Sequence, residues 1–298
     1  MPDAPSPHTY ALDRQRVRAA FERAAATYDA AAVLQREIAE RLLTRLDLVK
    51  LKPPSILDIG CGTGYATRKL AKRYRQARVL GMDIAHAMTT YARKRSGPMN
   101  SFTQRCTFVC GDAERLPFAN ACVDMVVSNL SLQWCSPPAV FAEAMRVLRP
   151  GGLLMFTTFG PDTLHELRAA WRAVDDRPHV HGFLDMHDLG DMLVHAGFAD
   201  PVMDMERFTL TYESVMQVMR DLKQLGAHNV MAARARGLTG KGQFLRFRTV
   251  YEAMTQAGRI PATYEAVYGH AWAPESRMAR PGEPVAISIY KGIGGRPR

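Results

Sequence analysis

Three features of the chain predict an α/β fold built on a mostly parallel, seven-stranded sheet. An apolar stretch at 55–59 runs into the turn Gly60-Cys61-Gly62-Thr63-Gly64, which opens a helical pattern. The next apolar stretch, 77–83, ends in Asp83, about twenty residues past the turn, where nucleotide-binding sheets carry a ribose acid. Strand-like segments then alternate with helical ones to residue 160, the order that joins parallel strands through helices packed on both faces.

Taken in order, residues 1–12 carry three prolines and read as a disordered lead-in. Residues 13–52 hold two helical patterns, one around Val17, Phe21 and Ala24, the other through Leu34, Ile38, Leu42, Leu43 and Leu46. Their alanine-rich join, 24–32, can bend over the glycine turn, and Pro53-Pro54 is expected to stop the second helix. The α/β core is expected over 53–160. It comprises strands at 55–59, 77–83, 106–110, 123–127 and 153–157, with helices at 65–75 and 139–148. Beyond it, 161–260 should hold helices at 164–174, 188–196, 214–225 and 242–256 and a sixth strand at 201–210. The last strand, 263–272, belongs to a closing segment, 261–298. The helices within 160–180 and 212–257 exceed a minimal cofactor fold, so they are expected to join the N-terminal pair as a lid.

Composition narrows the function classes. The formal charge of +10, from 39 Lys and Arg against 29 Asp and Glu, implies an acidic partner without identifying it. The basic residues are scattered, with no RNA-binding module and no aromatic-interleaved stripe, so a nucleic-acid partner is not expected. No apolar run reaches membrane-spanning length, and the first residues lack a basic-then-apolar signal layout. The five cysteines include no Cys-x-x-Cys pair and suit a reducing, cytoplasmic setting as small core residues.

The chemistry concentrates at the strand ends. Gly60, Gly62 and Gly64 allow positive φ and bring bare backbone to a ligand, while Asp58 can meet a cationic group there. Asp83 reads as a hydroxyl clamp, and the acidic turn Gly111-Asp112-Ala113-Glu114 can accept an exocyclic amine. The fourth strand runs into Ser128-Asn129-Leu130. Gly-x-Gly-x-Gly with these acids resembles the first motifs of class I S-adenosylmethionine-dependent methyltransferases, a Rossmann-like fold. A closer resemblance lies in Ala20-Phe21 through Tyr28-Asp29, Leu34-Gln35-Arg36, Ser128 to Trp134 and Phe156 to Gly160. It extends to Leu164-x-Glu-Leu167, Trp171 to His179, Phe183-Leu184 and Met219 to Ala227. Together these segments are similar to the BioC family, the malonyl-acyl-carrier-protein O-methyltransferases of biotin synthesis, over about residues 13–272.

That resemblance implies transfer of the methyl of S-adenosylmethionine to the free carboxylate of a malonyl thioester on an acidic acyl-carrier protein, leaving S-adenosylhomocysteine. It implies cofactor binding by Asp58, Gly60, Cys61, Gly62, Gly64, Asp83, Ile84, Met88, Asp112, Ala113 and Asn129. Tyr28 is the candidate for positioning the acceptor carboxylate, with no general base expected. Gln133 and Trp134 are candidate substrate contacts beside the cofactor; Arg168, Arg172 and Lys223 are candidates for an oxyanion of the substrate. His179, His181 and His187 lie close together, but no matched fourth ligand follows and the reaction needs no Lewis acid. They are read as loop histidines with solvent or backbone partners, and no metal is expected. Other acceptors remain open for this motif set: a small molecule, a ring carbon, another protein or RNA. So does a noncatalytic cofactor-binding assembly role.

Overall fold

In the computed structural model, which describes residues 12–97, 105–227 and 240–275, seven strands form one sheet. They are β1 (Ser55–Ile59), β2 (Arg78–Asp83), β3 (Cys106–Cys110), β4 (Val123–Asn129), β5 (Leu148–Phe159), β6 (Ala199–Tyr212) and β7 (Ile260–Trp272), in the order β3-β2-β1-β4-β5-β7-β6. Strands β1 to β5 pair in parallel, and β7 runs antiparallel to both β5 and β6. The order reverses at β1, so the ends of β1 and β4 diverge and leave a crevice at their carboxyl edge.

Side-chain alternation along the central strands builds two cores. Ile56, Met125, Val127, Leu153 and Met155 face one side; Leu57, Ile59, Val126, Leu154 and Phe156 face the other. The second face is covered by α6 (Pro137–Val147) through Val140, Phe141 and Ala144, and by α8 (Met186–His195) through Leu189 and Leu193. The first receives α3 (Val33–Arg45), whose Leu34, Ile38, Leu42 and Leu43 recur at helical spacing, and α4 (Tyr65–Arg73) through Leu70.

The helices expected as a lid lie on the β6–β7 side of that first face. They are α7 (His165–Arg172), α9 (Val215–Gln224) and α10 (Lys241–Glu252). Trp171 of α7 stacks on Phe247 of α10 with ring centroids 4.1 Å apart, and buried Glu166 accepts both the amide and the hydroxyl of Thr263 on β7. At the other end, Thr27 donates to the carbonyl of Gln224, joining α9 to the N-terminal helices α1 (Arg14–Ala24) and α2 (Tyr28–Ala31).

Element types follow the sequence expectation, while several boundaries move. Helix α3 ends at Arg45 in a 3-10 turn, Leu46–Leu48, well before Pro53-Pro54, so the prolines lead into β1 rather than stop the helix. Strand β5 starts at Leu148, because Leu148 pairs with Val123 before a bulge in which Gly151 takes φ +71°. Strand β6 reaches Tyr212 because all of its outer half pairs with β7. The expectations for residues 1–11 and for the closing segment beyond 275 fall outside the described residues.

Strands β5 and β7 approach closely where Gly269 faces Phe156: a Cβ on Gly269 would sit 2.3 Å from the Phe156 ring. Gly269→Ala is expected to destabilise the fold by about 1–3 kcal/mol through overpacking, measured by urea unfolding. Gly242→Ala, at an open position in α10, should leave stability unchanged or raise it.

Candidate active site

The glycine turn is held to the end of β2 by its own backbone. The amides of Gly60 and Cys61 both donate to the carbonyl of Met82, at 2.8 and 3.0 Å, and that of Gly62 donates to Asp83 Oδ2 at 2.9 Å. Asp83 Oδ1 accepts the Ala85 amide at 2.9 Å, so one carboxylate spans the turn and the approach to α5 (His86–Arg95). Gly60 is required by contact as well as by φ +69°, since its Cβ would lie 2.2 Å from Cβ of Ser131 in the β4 loop. Gly64, at φ +79°, caps α4, and its missing side chain leaves room for Phe108 and Ala92. It does not line the crevice, unlike Gly60 and Gly62.

Two carboxylates are buried at these strand ends. Burial pushes Asp58 up to about 7 and Asp83 up to about 6, and Asp83 raises Asp58 further. The hydroxyl of Thr67 at 2.5 Å and the amides on Asp83 offset part of that shift. Both are therefore poised for a cation or a hydroxyl pair.

Around them the structure gathers a pocket lined by Gly60, Gly62, Asp83, Ile84, Met88, Asp112, Ala113, Asn129 and Trp134. An adjoining recess adds Asp58, Cys61 and Gln35. The Cys61 thiol itself turns inward to the core. Asn129 is braced at both ends, donating to the Gln35 carbonyl and accepting from Thr157. Asp112 lines the pocket, yet its oxygens already serve Arg14 and the Glu114 amide.

Helix α1 supplies residues whose place in the site sequence reasoning missed. Arg14 pairs with Asp112 and Glu114, while Glu22 accepts the His86 and Ala87 amides at 2.7 and 2.8 Å, capping α5. Phe21 lines the pocket and meets Trp134 edge-on, centroids 5.4 Å apart. A capping acid donated by another helix leaves no local signature. Tyr28 covers the opening: a Cβ on Gly62 would meet only its ring, at 3.9 Å. Burial beside Asp83 and Asp29 raises its phenol, which stays protonated.

A second chamber of about 510 Å³, largely apolar, lies under α7, α9 and α10. Trp134 lines both this chamber and the pocket, and Gln35 lines both it and the recess, so the spaces meet there. Lys223 lines the chamber. Three other expectations are corrected. Gln133 donates to the Leu130 carbonyl and accepts from Thr158, bracing its turn beside a different cavity. Arg168 donates to the carbonyls of Pro161 and Thr163, fastening the loop before α7, and Arg172 is exposed; neither lines the chamber. The histidines also differ from solvated loop residues. His179 pairs with Asp175 and stacks on Trp171, and His181 is buried; only His187 is exposed. Among the described residues no cluster of three or more His, Cys, Asp or Glu could hold a metal ion.

Residues 57–156 match a family model described as a methyltransferase domain. A malonyl-[acyl-carrier protein] O-methyltransferase of Nitrosospira multiformis is 53% identical over 281 residues, covering 90% of this chain and 92% of that protein. The chain belongs to the malonyl-[acyl-carrier protein] O-methyltransferase family. A member from Methylovorus sp. is 54% identical over 276 residues, covering 91% and 93% of the two chains. Among solved structures, the YcgJ protein of Bacillus subtilis aligns at a TM-score of 0.56 over 79% of this chain and 98% of that one. At 17% identity it speaks for the fold alone.

The methyl donor of this family member is S-adenosylmethionine, and the residues present fit it. Bare backbone at Gly62 faces open space bounded by Tyr28, carboxylates stand ready for an ammonium and a diol, and Ile84, Met88 and Phe21 give apolar walls. Because a cationic ligand favours ionised Asp58, its binding should expel a proton near pH 7. S-adenosylmethionine affinity is therefore expected to fall as pH is lowered from 8 to 6, by up to about tenfold per unit, and Asp58→Asn should flatten the profile. Calorimetry in buffers of different ionisation enthalpy measures this. The ligand-free protein should show the opposite trend, gaining stability as pH falls through about 7, because the folded state then binds protons that the unfolded state does not.

Proposed function

We propose that the chain transfers the methyl group of S-adenosylmethionine to the free carboxylate of malonyl-acyl-carrier protein. The product methyl ester would enter fatty-acid synthesis for the pimeloyl moiety of biotin. The observation that carries this reading is the junction at Trp134 and Gln35, where a pocket with two buried carboxylates opens into a largely apolar chamber. A thioester arm laid through that chamber would bring its acyl end to the turn at Gly62.

In this reading Asp58 holds the ammonium of the cofactor, Asp83 its ribose, and Ile84, Met88 and Ala113 flank its base beside Asp112. The backbone of Gly60, Cys61 and Gly62, with Asn129, lies along the remainder. When bound, S-adenosylmethionine supplies a methyl carbon activated by its sulfonium. The malonyl carboxylate is already ionised at pH 7, so the chain needs no base. Its task is to hold an oxygen in line and keep water out. Tyr28, protonated and over the opening, donates to that carboxylate. Lys223 reaches the phosphopantetheine phosphate as a point charge.

The helices over the chamber act as the lid, and 13–52 as the cofactor's cover. Neither nucleic acid nor membrane is a partner in this reading. No helix among the described residues is long and apolar enough to cross a membrane. None of the five cysteines is joined in a disulfide, in keeping with a cytoplasmic setting. The formal charge of +10 favours encounter with an acidic carrier.

The test is methyl transfer from labelled S-adenosylmethionine to malonyl-carrier protein, run beside acetyl-carrier protein, malonyl-coenzyme A and RNA, with intact mass on the carrier. A gain of one methyl on the malonyl carrier and none on the acetyl carrier is expected; no transfer despite cofactor binding would sink the reading. Tyr28→Phe should lower kcat by about tenfold or more while the dissociation constant of S-adenosylmethionine changes little, measured by single-turnover kinetics and calorimetry.

A further inference from the structure

His181 has none of the partners that explain its neighbours. It lies in the irregular segment between α7 and α8, only 8% exposed, and its Nε2 is buried with no hydrogen-bond partner among the described residues. Native folds rarely leave a buried ring nitrogen uncommitted, because burial strips its water and returns nothing. The ring is held in place: it packs on Trp134 with centroids 5.0 Å apart and on Phe183 at 4.4 Å. Phe183 is fixed in turn, edge-on to Phe159.

Its position is specific. Trp134 and Gln35 line both the cofactor side and the chamber, whereas His181 lines the chamber and the adjacent smaller cavity but not the cofactor pocket. It therefore stands one step farther from the cofactor than the point where an acceptor carboxylate must sit. Burial and nearby Arg168 hold the imidazole down to about 4, so it is neutral throughout the physiological range. A neutral donor matches a neutral acceptor. An acyl thioester offers only acceptor oxygens, which selects the tautomer protonated at Nε2. The other polar groups lining the chamber are differently placed: Gln35 stands at the cofactor end, shared with the recess, the Thr163 hydroxyl is bonded to the backbone of Glu265, His179 is paired with Asp175, the Tyr264 hydroxyl interacts with Tyr212, and Lys223 is an exposed cation.

We propose that His181 donates a hydrogen bond from Nε2 to the thioester carbonyl oxygen of the malonyl group, and so sets the acyl length that places a carboxylate at the cofactor. The inference rests on the malonyl-carrier reading above and adds a residue that selects the substrate. Held at its carbonyl, an acyl chain one methylene longer would carry its carboxylate past the transfer point; one without a carboxylate would present nothing there.

The test pairs a change in the protein with a change in the substrate. Carrier protein is loaded with malonyl, or with S-(2-carboxyethyl), in which a methylene replaces the thioester carbonyl and the carboxylate is kept. Wild type should lose about tenfold or more in kcat/KM on the carbonyl-free carrier. His181→Phe should lose about the same on the malonyl carrier, chiefly through KM, and then fail to distinguish the two carriers. His181→Asn, which keeps an N–H donor, should recover most of the distinction. Melting temperature and S-adenosylmethionine affinity of the variants report folding separately. Equal discrimination by wild type and His181→Phe, or none by wild type, overturns the assignment of His181. No transfer by wild type to either carrier, with cofactor bound, instead overturns the malonyl-carrier reading and this assignment with it.

Discussion

The carboxylate of Asp83 is the contact on which the site depends. By accepting the amides of Gly62 and Ala85 it ties the glycine turn after β1 to the segment after β2, two loops that would otherwise be free to separate. Hydrogen bonds to a charged group contribute about 1.5–3 kcal/mol each, enough to define the turn yet small against the cost of burying the charge. That imbalance is visible in the group itself, which burial raises to about 6 despite both amides. The same acid is therefore a structural pin and an unfinished electrostatic site, and the turn it holds decides where Tyr28 can rest.

Much of the fold was legible because its signals are local. The apolar run at 55–59, the turn at 60–64 and the acid ending β2 each announce themselves within ten residues, and the structure joins them as expected. Helix ends were less legible. Nothing near Arg45 distinguishes a helix that stops there from one that runs to the prolines, because the 3-10 turn that closes it is stabilised by burial of Leu46. Strand β6 was read short for a similar reason, since its extent is set by a partner strand some sixty residues later.

The site divides along the same line. Residues contributed by a strand end could be named from the sequence: Asp58, Asp83, Asp112 and Asn129 all reach the crevice. Of the residues contributed by the cover, Tyr28 could be named but most could not, for Arg14, Glu22 and Phe21 look like ordinary members of an amphipathic helix. Gln133, Arg168 and Arg172 illustrate the opposite error. An amide or a guanidinium that fastens a loop carbonyl has the same sequence appearance as one that meets a substrate. His181 was passed over because it read as a loop histidine with solvent or backbone partners, when burial against Trp134 is what sets it apart.

The hold of α1 on the crevice is unlike that of α3. Helix α3 buries a row of leucines and isoleucine in the main core, whereas Arg14 and Glu22 tie α1 to the rim through contacts that stay open to water. Attraction between exposed charges weakens with ionic strength, while apolar burial does not. Salt thus loosens the charged part of the hold of α1 and leaves alone its buried Val17, Ala20 and Ala24 and the leucines of α3. The surrounding electrolyte thereby gains a partial say in how readily spent cofactor leaves, through contacts in which the sheet takes no part.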